Sequence, residues 1–113
     1  MIRKTYIHFF KTLSDPTKLD IIKTLREGPK SVLELSSKLK LEQSRASHNL
    51  RKLNELGFVT VTPNGKQRIY DIDKKTILPL LKIIDGHVDV YYKHYCRCKG
   101  SAKKERWEGK GEL

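Results

Sequence analysis

Cysteine is nearly absent from this chain. Cys96 and Cys98 are the only two among 113 residues, and a C-x-C pair is too close to staple distant parts of a fold, which excludes a disulfide scaffold. Long apolar runs are missing as well. Runs such as Leu80-Leu81 and Ile83-Ile84 are short and broken by Lys82 and Asp85, and Met1-Ile2-Arg3-Lys4 is followed by no apolar stretch of the signal-peptide kind. Neither a membrane span nor export is expected, and the expected compartment is the cytoplasm. There is no nucleotide loop, paired base or carboxylate dyad, so a thiol enzyme would rest on C-x-C alone and no enzyme is expected. Acidic side chains are scarce too: 13 Asp and Glu against 24 Lys and Arg leave a net charge of +11.

A chain of this size, with 37% hydrophobic and 33% charged residues and a mean hydropathy of -0.59, suits one small soluble domain. So basic a domain implies a polyanionic partner, most often nucleic acid. The charge is also unevenly placed. From Ser36 to Arg68 the seven cations Lys38, Lys40, Arg45, Arg51, Lys52, Lys66 and Arg68 face only Glu42 and Glu55.

Periodicity supplies the elements. Ile2, Tyr6, Phe9, Phe10 and Leu13 recur at helical spacing and predict a first amphipathic helix with an aromatic stripe. Asp15-Pro16 reads as an N-cap followed by proline at the first helical position, opening a second helix with Leu19, Ile22 and Leu25 on one face before Gly28-Pro29. Ser31-Val32-Leu33-Glu34 matches a capping box and predicts a third helix to about Leu39. After Lys40 and Leu41, a fourth helix from about Gln43 to Leu56 buries Ala46, Leu50, Leu53 and Leu56 and stops at Gly57. Residues 58–62 and 67–72 are β-branched and aromatic runs around Pro63-Asn64-Gly65-Lys66, and Asn-Gly predicts a hairpin with a type I′ turn. A last helix from about Thr76 to Tyr95 carries Ile77, Leu80, Leu81, Ile84, Val88, Tyr91, Tyr92 and Tyr95.

The fold class is therefore mainly α with a small β-hairpin: a winged helix-turn-helix over residues 1–98, with residues 99–113 a disordered tail of mixed charge. The terminal helices offer more apolar surface than a small core absorbs. A homodimer is expected through Tyr6, Phe9, Phe10, Leu80, Leu81, Ile84, Val88 and Tyr91. Gly86, costly inside a helix, would suit close approach of a partner helix.

With Ala46, Leu50 and Leu53 turned inward, the fourth helix presents Gln43, Ser44, Ser47, His48 and Arg51 outward. A helix fits the major groove of double-stranded DNA, where Gln pairs with adenine, Arg with guanine and Ser with several base edges. Arg45, Lys38 and Lys52 are placed to clamp phosphates, and Lys66 and Arg68 would set the hairpin tip beside the minor groove.

Residues 13–22 (Leu-Ser-Asp-Pro-Thr-Lys-Leu-Asp-Ile-Ile), 31–35 (Ser-Val-Leu-Glu-Leu), 43–53 (Gln-Ser-Arg-Ala-Ser-His-Asn-Leu-Arg-Lys-Leu), Gly57-Phe58-Val59 and the hairpin occur in that order. In this combination the chain resembles the ArsR/SmtB family of winged-helix transcriptional regulators over about residues 5 to 96. The resemblance implies a homodimeric repressor on an inverted-repeat operator, commonly released by an inducer. Glu42 departs from it, standing where the family usually has a Ser-like N-cap.

The resemblance also implies two places for a metal. The helix before the recognition helix has no thiol in residues 33–37, so a Cys-x-Cys site is not expected there. At the C-terminal helix, Asp85-Gly86-His87 matches one half of a site shared between two chains. Cys98 follows where the family has His, and Ser101 is a poor match for the fourth ligand. His87, His94 and Cys98 also fall on one side of a helix, with His94 and Cys98 at a chelating spacing, so Asp85, His87, His94 and Cys98 are candidate ligands for Zn(II) or another transition metal. The bland alternative makes the histidines interface residues and the cysteines reduced thiols. A redox alternative has Arg97 and Lys99 lower the pKa of Cys98. For the whole chain, the competing class is a sequence-neutral architectural protein that coats DNA with the same basic face.

Overall fold

The computed structural model describes residues 2–99, with side chains as far as His94. Cys96 and Cys98, and the tail expected to be disordered, lie outside the described side chains. The chain divides into two compact units, one ending at Asp73 and the other beginning at Lys74.

The first unit opens with α1 (Ile2–Leu13) and α2 (Pro16–Leu25). Asp15 caps α2 as expected: its Oδ2 accepts from the Lys18 backbone N–H at 3.0 Å, and Pro16 takes the first helical position, where a missing N–H costs nothing. A two-residue strand β1 (Lys30–Ser31) follows and leads straight into α3 (Val32–Leu39). The capping box is present, with Ser31 Oγ accepting from Glu34 N and Glu34 Oε1 accepting from Ser31 N at 2.8 Å. The turn to α4 (Gln43–Glu55) puts Lys40 in the left-handed region at φ 56°. It is tied by Ser36, whose Oγ donates to the Leu41 carbonyl at 2.6 Å.

β2 (Val59–Asn64) and β3 (Gln67–Ile72) form the hairpin, and β3 also pairs with β1, giving an antiparallel sheet in the order β1-β3-β2. Two expectations change here. The strand β1 was not foreseen, because two residues carry no alternation. The hairpin turn is also displaced by one residue. Asn64 pairs with Gln67, so Gly65-Lys66 are its central residues, and only Gly65 has positive φ, at 68°. That is the pattern of a type II′ turn with glycine first, not the type I′ turn that Asn-Gly suggested.

The core of this unit joins Ile21, Ile22 and Leu25 of α2, Leu35 of α3 and Ala46, Leu50 and Leu53 of α4 with Phe58, Val59, Tyr70 and Ile72. Leu19 and Leu56, expected inside, are half-buried. Phe9 stacks on Phe58 with ring centroids 5.0 Å apart, which anchors α1 to this core.

The second unit is α5 (Ile77–Lys99), with Pro79 in its first turn, where it is tolerated. Ile77, Leu81 and Asp85 are buried on one side, while Ile83, Val90 and Tyr91 are exposed on another.

Candidate nucleic-acid interface

The surface expected to meet DNA is built by α3, α4 and the hairpin. On a regular helix, Gln43, Ser44, Ser47 and Arg51 fall within an arc of about 100°, and His48 lies at its edge. Gln43, Ser44, His48 and Arg51 are all exposed, and Ser47 is half-buried. A groove of about 630 Å³ runs beside this arc, lined by Ser31, Val32, Leu33, Gln43, Ser44, Ser47, Lys66, Gln67 and Arg68. The start of the recognition helix and the cationic tip of the hairpin thus border one concavity, polar at the helix and positive at the wing.

The remaining cations sit elsewhere. Arg45 and Lys52 lie beyond the arc, and the Arg45 guanidinium donates to Thr17 Oγ1 at 3.2 Å, drawing it toward α2. Lys38 is engaged: its Nζ donates to Glu27 Oε1 at 2.7 Å, and both side chains are about half exposed. That hydrogen bond and the charge of Lys38 hold the Glu27 carboxyl below the usual carboxylate range. Lys38 reaches a phosphate only by leaving Glu27. The helix start carrying this face has no side-chain cap, since Glu42 occupies the N-cap without a side-chain hydrogen bond.

Three residues that sequence reasoning passed over stand at this surface or beneath it. Gln67 and Leu33 line the groove, and Leu33 is 53% exposed. Asn49 is 7% exposed and joins α4 to α2. A signal for Asn49 existed: it is the polar residue at an inward position, three after Ala46 and four before Leu53.

A profile described as the arsR family of bacterial regulatory proteins matches residues 15–61, the stretch from the α2 cap into β2. The Mycobacterium tuberculosis regulator Rv0081 is 38% identical over 81 residues, which cover 71% of each chain. Its crystal structure superposes with a TM-score of 0.77 at 32% identity, covering 83% of this chain and 95% of that one. The chain belongs to the ArsR family. ArsR-family proteins are DNA-binding transcriptional regulators, not enzymes. Among other relatives, the transcriptional regulator NmtR of M. tuberculosis is 35% identical over 71 residues, which span 63% of this chain and 59% of NmtR. An arsenical resistance operon repressor of Staphylococcus xylosus is 27% identical over 97 residues, 84% of this chain and 89% of that one.

The winged helix-turn-helix of this ArsR-family chain is as expected, and among the described residues no helix is long and apolar enough to cross a membrane. The residues expected at a dimer interface divide. Tyr6, Phe10 and Tyr91 are exposed, and Leu80, Ile84 and Val88 are half-buried. Leu81 is only 3% exposed, and Phe9 is half-buried and stacks on Phe58. Among the described residues of the terminal helices, the large apolar side chains left open are Ile2, Tyr6, Ile7 and Phe10 on α1 and Ile83, Val90 and Tyr91 on α5. A Cβ added at Gly86 would meet nothing within 4 Å, so no crowding inside the chain requires this glycine.

Of the candidate metal ligands, Asp85 is buried, whereas His87 and His94 are exposed, and the His87 ring stacks on Tyr91 with centroids 6.3 Å apart. Cys98 lies outside the described side chains. Among the described residues, no three His, Cys, Asp or Glu side chains come together as a metal-binding group.

Proposed function

We propose that this ArsR-family chain is a homodimeric repressor, acting in the cytoplasm on an inverted-repeat operator. The single observation that carries the reading is the shared groove, with Gln43, Ser44 and Ser47 on one wall and Lys66 and Arg68 on the other. On this reading the start of α4 enters the major groove, where Gln43 and Arg51 read base edges. The wing follows the adjacent backbone, and its cations hold phosphates. A symmetric pair would place two such helices about 34 Å apart on one face of the duplex. The open apolar residues of α1 and α5 support pairing, since a second copy removes them from water.

The release signal belongs to α5 on the same reading. Asp85, His87, His94 and Cys98 offer oxygen, nitrogen and sulfur donors suited to Zn(II) or another transition metal. His87 and His94 are exposed on one side of the helix, so a second copy is needed to complete the ligand set. The relative named as an arsenical resistance operon repressor makes a metal or metalloid inducer the broader class to test.

The test is binding of the reduced protein to its own upstream promoter, against scrambled competitor at fixed salt, with Zn(II) and with EDTA. Promoter preference is expected, lost on adding metal and restored by EDTA. Preference that ignores metal would keep the regulator and discard the α5 sensor. Equal affinity for all sequences would replace the reading with an architectural DNA-coating role.

A further inference from the structure

The recognition helix lacks a side-chain cap, yet its middle is tied to the start of α2 through a closed set of polar contacts. Lys18 Nζ donates to Asn49 Oδ1 at 2.9 Å, and Asn49 Nδ2 donates to the Arg45 carbonyl at 2.9 Å. Arg45 Nη2 donates to Thr17 Oγ1 at 3.2 Å, which returns the set to α2 beside Lys18. Asp15, the cap of α2, accepts from the Lys18 backbone and stands 4.0 Å from its ammonium. Asn49 is buried among the apolar contacts of α4 with the core, and its amide uses its oxygen on α2 and its nitrogen on α4.

Apolar packing through Ala46, Leu50 and Leu53 holds α4 against the core but is weakly directional, since such contacts tolerate small rotations of a helix about its axis. A hydrogen bond is directional. One buried amide fixed to a lysine on another helix therefore sets the rotation of α4. Turning α4 by one residue's worth, about 100°, would exchange the arc of Gln43, Ser44, Ser47 and Arg51 for another. A rotation of even a fraction of that would take Gln43 and Arg51 out of register with base edges, while flexible surface cations would still reach phosphates.

We infer that Asn49, held by Lys18, is a positioning residue for sequence readout: it orients the base-reading face of α4 without touching DNA. The inference rests on the proposed DNA reading. It distinguishes specific from non-specific binding, because only base contacts need the orientation.

The experiment measures affinity for the promoter and for random duplex across a salt series, for the full chain and for Asn49→Ala, Lys18→Met, the double variant and Lys18→Arg, with helicity followed by circular dichroism. The wild-type arm alone tests the underlying reading, through its preference for promoter over random duplex. Asn49→Ala and Lys18→Met should each lower that preference about tenfold, leaving random-duplex affinity and salt slope unchanged. The double variant should lose little more than either single one, as expected for partners in one contact. Lys18→Arg, which keeps a cationic donor, should retain most of the preference. Should Asn49→Ala not fold, Asn49→Asp serves instead: it keeps the shape and the Lys18 contact but not the donor to Arg45, and should show an intermediate loss. Equal losses on both DNAs, or additive losses in the double variant, would overturn the positioning role even where the wild type prefers its promoter.

Discussion

At the residue scale, most side chains do what their local chemistry predicts, and the exceptions carry information. Glu42 stands at the start of α4 with no capping bond, and on the proposed reading its negative charge sits where a phosphate approaches. Glu42→Ser should restore a cap and stabilise the fold by about 1 kcal/mol. The same change should raise affinity for promoter and random duplex alike, checked by thermal melting and by the same DNA titrations. Glu27 gives a pH prediction. Its folded pKa is lowered by Lys38, so the stabilisation is fully present above the ordinary carboxylate value and is lost as pH falls through the folded one. Because the pair is exposed the effect is small. Melting temperatures across roughly pH 3 to 6, the carboxylate range, should fall more steeply with acidification for the wild type than for Glu27→Gln.

At the scale of elements, the proposed reading divides DNA recognition between α4 and the hairpin. Arg51 is exposed on the outward arc of α4 and Lys66 lies at the turn, as one of the two central residues of the hairpin. Arg51→Ala should therefore cost about 1 to 3 kcal/mol on the promoter and relax base preference, whereas Lys66→Ala should weaken all sequences and reduce the salt slope by about one. The reverse pattern would mean that the groove assignment is exchanged. Most of the frame that carries these residues was legible before the structure. The capping box at Ser31 and Glu34, the Asp15-Pro16 start and the inward stripe of α4 are local signals, set by spacings of three and four residues. The hairpin turn was misplaced by one residue, because Asn64-Gly65 and Gly65-Lys66 are both acceptable turn pairs and only the pairing of Asn64 with Gln67 chooses between them. Strand β1 was invisible because its two residues become a strand only through β3.

At the scale of the whole molecule, apolar residues left open by one chain point to a second copy. Phe10 is 56% exposed and Val90 68%, so a charge at either leaves the chain's own core intact. Phe10→Glu and Val90→Glu should each convert a dimer to a monomer in sedimentation experiments and weaken promoter binding, with helicity unchanged. A monomeric variant that keeps full promoter affinity would refute the dimer. This choice of residues keeps to positions that one chain leaves open, which the stripe drawn from periodicity does not distinguish. Hydrophobic spacing marks the apolar positions of α5 without saying which of them the chain itself covers, and Leu81 is covered while Ile83 is open.

By itself the sequence determined the five helices and the hairpin, their order, the basic balance and the family likeness, because caps, periodicity and charge act over a few residues and are written out along the chain. Tertiary structure alone decided which positions are spent inside one copy: Phe9 on Phe58, Lys38 on Glu27, and Asn49 between Lys18 and the Arg45 carbonyl. Those pairings join residues from 4 to 49 positions apart, and the longer ones depend on how helices pack rather than on any spacing. The orientation of the recognition helix belongs to that second class, since a helix carries its own periodicity but not its rotation against a neighbour.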